Sequence, residues 1–241
     1  GVIDANNIGF SQVKTPYVVF MSDDMILLRD NFSVGIEILQ KNPDIGLIGL
    51  KIRERSSSKG VKIYAGGVSR FGILTANFQL ASANLIRRTG VFSEEYHTYI
   101  ADSDLTLKVL LSGQKVVHIK PLTAEHLIIS EIDRDPKEKL KDFLKGEQIY
   151  LKRYHFFTSY SSLDDSLKSK FKRKIKFIML NLLFFRRITL FGYVKADIWN
   201  TWRSKYINNL DPILNLKKKY HLVQKLPDKF ISENFEKIKE I

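Results

Sequence analysis

Two hydrophobic patterns share the first half of the chain. Tyr17 to Met21 is β-branched and aromatic without a break, the pattern of a buried strand, and it ends at Ser22-Asp23-Asp24. Asn31 to Gln40 places Phe32, Ile36 and Leu39 at helical spacing and stops near Asn42-Pro43, after which Ile45 to Ile52 predicts a second strand. Arg53 to Gly60 is polar and Ser-rich and predicts a surface loop. Ile63 to Val68, with Gly66, Gly67 and Gly72, predicts a turn or hairpin. Phe78 to Arg88 predicts a strand leading into a helix. Asp102 to Ser112, with Leu105, Val109 and Leu110 apolar, predicts a helix stopped by Gly113. Lys115 to Ile119 predicts a short strand, followed by Pro121 and then His126, while Asn6-Asn7-Ile8-Gly9 near the start has polar turn chemistry. Alternating strands and helices predict an open α/β sheet, in which ligands bind beyond the carboxyl ends of the strands.

From about Asp133 the texture changes to long charged helices, with Arg134 to Tyr154 as the bridge. Phe171, Ile175, Ile178, Leu182 and Phe185 recur at steps of four, three, four and three, so one helical face is apolar, and Lys172, Arg173, Lys174, Lys176, Arg186 and Arg187 surround it. The net charge of +13 is concentrated there: residues 151–241 carry 20 basic and 8 acidic side chains, against 19 and 18 in residues 1–150. Such a segment either packs as a helical appendage or lies on an anionic membrane surface. Nucleic acid is not an expected partner, because zinc-finger spacing and RNP-type aromatics are missing and the apolar face would go unexplained. The chain has no cysteine, so a metal would be held by oxygen or imidazole. No window approaches the roughly 20 apolar residues of a membrane-spanning helix.

Asp23, Asp24, Asp102, Asp104 and His126 fall at strand ends or in loops. Singly, each has an ordinary reading as a helix cap or a surface hydrogen-bonding group. Jointly they resemble a known family. Ala5-Asn6-Asn7-Ile8-Gly9 followed by Tyr17 to Asp24 is similar to the centre of family 2 glycosyltransferases, where an Asn-x-Gly helix leads to a strand ending in a DxD-type motif. Leu85-Ile86-Arg87-Arg88, Gly90 to Glu94, and Tyr99 to Leu105 resemble the acceptor-side run that ends in a Glu-Asp-x-Asp-Leu signature. His126 resembles the histidine that completes the family's metal site. The likeness covers about Ala5 to Leu127 and is closest to the rhamnosyltransferase-like branch.

The resemblance implies an α/β, GT-A type nucleotide-diphospho-sugar transferase sheet over residues 1–132 and a helical, basic extension over 133–241. It implies that Asp24 and His126 hold a divalent Mg²⁺ or Mn²⁺, that Asn7 and Asp23 contact the nucleotide-sugar donor, and that Asp102 is the catalytic base of an inverting transfer to a glycan or lipid-linked acceptor. Asp104 is the rival base, better placed to cap or orient the following helix. Without a Gln-x-x-Arg-Trp element (Gln148 and Arg153 have the wrong spacing), single-sugar transfer is expected rather than polymerisation. The branch points to polysaccharide assembly in the cytoplasm, peripheral on the inner face of the membrane.

The chain departs from the family pattern at Ser22, Ser93 and Ala101, where acids are common. These changes keep a non-catalytic, glycosyltransferase-like binding module as the alternative. Gly1 in place of Met, and the missing first βα units that would hold the nucleobase, lead us to expect about 90 further residues upstream, at about 30 per unit.

Overall fold

A computed structural model describes residues 1–56, 60–64, 73, 75–127, 135–160 and 220–240. Their order is α1 (Val2–Ser11), β1 (Tyr17–Phe20), β2 (Met25–Leu27), α2 (Phe32–Lys41), β3 (Ile45–Ser56), β4 (Gly60–Tyr64), β5 (Gln79–Ser82), α3 (Ala83–Thr89), α4 (Ala101–Leu111), β6 (Lys115–His126), α5 (Pro136–Arg153), α6 (His155–Tyr160), β7 (Tyr220–Gln224), α7 (Asp228–Glu233) and α8 (Phe235–Lys239). The amphipathic stretch from Phe171 to Phe185 lies outside the described residues.

All seven strands belong to one sheet, with the path β1-β5-β3-β6-β2; β4 adds to β3 and β7 to β6. The sheet is mixed. Among the described residues only β3 and β6 pair in parallel, and every other ladder is antiparallel. Helices cover both faces. On one, Ile3 and Phe10 of α1, Leu85 and Ile86 of α3, Leu105 and Val109 of α4, and Tyr150 and Tyr154 of α5 bury against Phe20, Leu47 and Val116. On the other, Ile38 and Leu39 of α2 pack on Ile48, Leu50, Leu80 and Val117. The alternation of Leu47 and Ile48 between these layers is the two-residue period of a strand buried on both sides.

Several sequence expectations change here. Asn6 to Gly9 is helical, as the resemblance implies and against its turn chemistry, because Ile3 and Phe10, seven residues apart, give α1 a buried stripe that outweighs the turn propensity of two asparagines. Arg53 to Ser56 is strand, not loop. Ile52 and, two positions on, Glu54 are buried, and the half-buried Arg53 and Glu125 form an ion pair of 2.5 Å across the β3–β6 ladder. The same ladder carries β6 to His126, well past Ile119. Strand β2, three residues long, is too short for a periodic signal, and strand β7 was not read from the sequence either. β7 pairs with β6, and Arg153 and Tyr154, at the end of α5, reach Asp104 of α4.

Helix ends follow local chemistry. Ser82 caps α3 through Leu85 N, and Asp135 caps α5 through Lys137 N at 2.9 Å, with Pro136 in the first turn. Gly113, at φ 83°, ends α4 where a side chain would be strained. No helix among the described residues is long and apolar enough to cross a membrane.

Candidate active site

Strand directions gather the candidate residues at one end of the sheet. β1 and β3 each run antiparallel to β5, and β6 runs parallel to β3, so the carboxyl ends of β1, β3 and β6 lie at the same edge. Ser22-Asp23-Asp24 follows β1 there, and His126 ends β6 there. The antiparallel partners β5 and β2 begin at this edge. The last β1–β5 pair is Phe20 with Gln79, so Ser22 and Asn77 each stand two residues beyond it. Met25 pairs with His126, which sets Asp24 beside that histidine.

His126 Nε2 lies 3.0 Å from Asp24 Oδ1, and Leu127 N donates to the Asp24 carbonyl at 3.0 Å. Both Asp24 carboxylate oxygens and His126 Nδ1 are shielded from solvent without a hydrogen bond among the described residues. A shielded carboxylate that accepts no hydrogen bond and lies 3.0 Å from an imidazole nitrogen suits a hard divalent cation. Such an ion takes oxygen and imidazole donors and would satisfy groups that otherwise lose hydration without return. No third His, Asp or Glu joins the pair among the described residues. Further coordination positions would therefore fall to ligand oxygens and water. Asp23 is exposed and forms no hydrogen bond or ion pair among the described residues.

Asp102 sits in the first turn of α4. Its Oδ2 accepts from Asn77 Nδ2 at 3.2 Å. Burial pushes its pKa above the ordinary carboxylate value, partly offset by backbone N–H groups of Ser103 and of Asp102 itself. A carboxylate whose charge is held against burial is a stronger proton acceptor than one in water. The turn that presents it is strained: Ile100, immediately before α4, has φ 72°, the left-handed region a β-branched residue rarely enters. Helix α5 holds this turn in place. Gly146 approaches so closely that an added Cβ would lie 2.9 Å from the Tyr99 carbonyl oxygen and 3.3 Å from Ile100 Cγ1. Gly146→Ala is therefore expected to destabilise the fold by about 1–3 kcal/mol through overpacking, read by denaturant unfolding. An unchanged midpoint would show that α5 does not clamp the turn.

Asp104 points the other way from its sequence neighbour. It does not cap α4. Its side chain is wholly buried, where Oδ1 accepts from Tyr154 OH at 2.8 Å, Arg153 Nη1 at 3.0 Å and Tyr96 OH at 3.2 Å. Oδ2 lies 2.9 Å from Lys108 Nζ and 3.3 Å from Ser93 Oγ. Burial first, and then the Asp104 charge, drive the Tyr96 and Tyr154 phenols far above their usual range. Burial works against the Arg153 charge, yet Asp104 outweighs it and raises the guanidinium's pKa. Ser93 also accepts from Lys108 Nζ at 2.9 Å and Arg153 Nη1 at 2.5 Å, so it serves this network rather than a ligand. With five donors around it, Asp104 is a structural anchor joining α4 to α5.

Asn7 does not reach the strand ends through any hydrogen bond. Its Nδ2 donates to Phe92 O at 2.8 Å, tying α1 to the loop after α3, where Phe92 packs edge-on against Phe20 at 5.0 Å. Sequence reasoning missed Asn77 and the Asp104 network. Asn77 belongs to no motif and is found only through the β1–β5 register. Arg153 and Tyr154, 49 and 50 residues from Asp104, have no sequence signal that pairs them with it.

No protein-family profile and no curated protein matches the sequence. Among solved structures, the chain resembles residues 1–349 of S. aureus TarS, both alone and in complex with UDP. In each case the TM-score is 0.42 at 13% identity, over 70% of this chain and 56% of TarS 1–349. The chain thus spans little more than half the length of these neighbours.

Proposed function

We propose that this protein is an inverting glycosyltransferase that moves one sugar from a nucleotide-diphosphate donor to a hydroxyl of a glycan or lipid-linked acceptor. The observation that carries this reading is a shielded and unsatisfied Asp24–His126 pair at the edge where β1, β3 and β6 end, together with a second carboxylate, Asp102, whose proton affinity is raised and which bonds to Asn77 just before β5. Asp24 and His126 would hold a Mg²⁺ or Mn²⁺ ion, which supplies charge neutralisation for the departing diphosphate. Asp23, exposed on the same loop, is assigned to the donor.

In the transfer, the acceptor oxygen forms a bond to the anomeric carbon while the bond from that carbon to the diphosphate oxygen breaks. The acceptor's proton passes to the Asp102 carboxylate, and the nucleoside diphosphate leaves with the electron pair. Attack from the face opposite the leaving group inverts the anomeric centre. Asp104 cannot share this task, because its oxygens are committed to Tyr96, Lys108, Arg153 and Tyr154.

The test is release of nucleoside diphosphate from a panel of UDP-, dTDP- and GDP-hexoses, with and without Mn²⁺, using the native-length polypeptide. Asp24→Ala and His126→Ala are expected to weaken Mn²⁺ binding by roughly 10–100-fold in calorimetric titration, as loss of a ligand or its supporting partner does. Mn²⁺ affinity equal to wild type in both variants would remove the metal from this site.

A further inference from the structure

Asn77 links the sheet edge to the turn that carries Asp102. Its neighbours fix its place: Ala76 and Phe78 are wholly buried, Gln79 Nε2 donates to the Ala76 carbonyl, and Leu50 N donates to Phe78 O at 2.8 Å. Asn77 itself is exposed at the sheet edge, two residues past the last β1–β5 pair, as Ser22 is on the facing strand. From there its amide reaches Asp102 Oδ2 at 3.2 Å. Against a carboxylate an Asn can only donate, so the contact fixes the amide orientation as well as the acid.

We propose that Asn77 is a positioning residue for Asp102: it fixes the carboxylate through Oδ2 and leaves Oδ1, which has no side-chain partner among the described residues, to receive the acceptor's proton. The inference rests on the reading of Asp102 as the base. It adds a structural coupling, because the β1–β5 ladder that leads to Asn77 also leads into Ser22, where the loop toward Asp24 begins. Exposure of Asn77 predicts that its replacement leaves the fold intact, so a loss of function can be assigned to the contact.

The experiment compares wild type, Asn77→Ala, Asn77→Asp and Asp102→Asn on the nucleotide sugar that turnover selects from the panel, together with a ¹³C carboxyl NMR titration of Asp102. Asn77→Ala is expected to lower kcat about tenfold with the donor KM unchanged, the effect of losing one hydrogen bond to a charged group. Its Asp102 titration should move upward, since a donor to the charged form is gone, and Asn77→Asp should move it further through like-charge repulsion. A wild-type kcat and an unshifted Asp102 titration in Asn77→Ala would overturn the proposal. If instead Asp102→Asn keeps full turnover, the base assignment falls and the positioning role with it. If Asp102→Asn is inactive while Asn77→Ala is not, only the role of Asn77 fails.

Discussion

Asp104→Ala is expected to cost about 3–5 kcal/mol of stability, enough to remove a large part of the margin of a domain this size. The cost comes from what the carboxylate leaves behind. Lys108 would be held in a mostly buried site without its counter-ion, Arg153 would keep only the exposed Glu95, and the Tyr96 and Tyr154 hydroxyls would lose their acceptor. Lys108 is four residues after Asp104 on α4, whereas Arg153 and Tyr154 come from the end of α5, so the variant also disconnects the two helices. Tyr154→Phe, which removes one donor and little volume, should cost only about 1 kcal/mol. Urea unfolding of both variants checks the claim. Equal, small losses would mean that Asp104 is not the anchor.

Asp102→Asn is expected to act in the opposite sense on stability while removing activity. Turnover should fall by roughly 10²–10⁴, the range for loss of a positioned general base. The folded protein holds the Asp102 pKa above the ordinary value of 3.8, mainly through burial, so the folded state binds its proton more tightly than the unfolded chain does. Stability from this group therefore declines as pH rises from the ordinary carboxylate range through the raised folded value, and the cost is fully present above it. Asparagine avoids that cost. Asp102→Asn should melt above wild type at neutral pH and lose the advantage as pH falls below the ordinary carboxylate range. A gain of stability coupled to loss of turnover is the signature of a group placed for chemistry rather than for folding. Wild-type turnover in Asp102→Asn would contradict the assignment.

Much of the sheet was legible where one residue pattern dominated. Tyr17 to Phe20, Phe32 to Lys41 and the helix ending before Gly113 form as their spacing predicts, because each buries its apolar positions against a neighbour within its own layer. The failures lie where long-range pairing decides. Arg53 to Ser56 looks like a loop until Glu125 of β6 supplies its partner, and the open α/β reading gave no hint that five of the six ladders would be antiparallel. Asn6 and Asn7 look like a turn until Ile3 and Phe10 find the core.

The candidate site divides along the same line. Asp24 and His126 are 102 positions apart, and only the register of β2 on β6 makes them neighbours. Asp102 and Asp104 are two positions apart with similar prospects in the sequence. Their environments separate them, one on the strained turn facing Asn77, the other enclosed by tyrosines and cations. Asn77 carries no local signal at all, since its significance comes from standing opposite Ser22 across two strands.

The most direct test of a glycosyl transfer run by Asp24 and Asp102 is nucleoside diphosphate release across the nucleotide-sugar panel, measured side by side for the native-length wild type, Asp24→Ala and Asp102→Asn in the presence of Mn²⁺. The account predicts release from at least one donor, dependent on the metal and lost in both variants. Release from none of the donors, or release that survives Asp102→Asn unchanged, would contradict it.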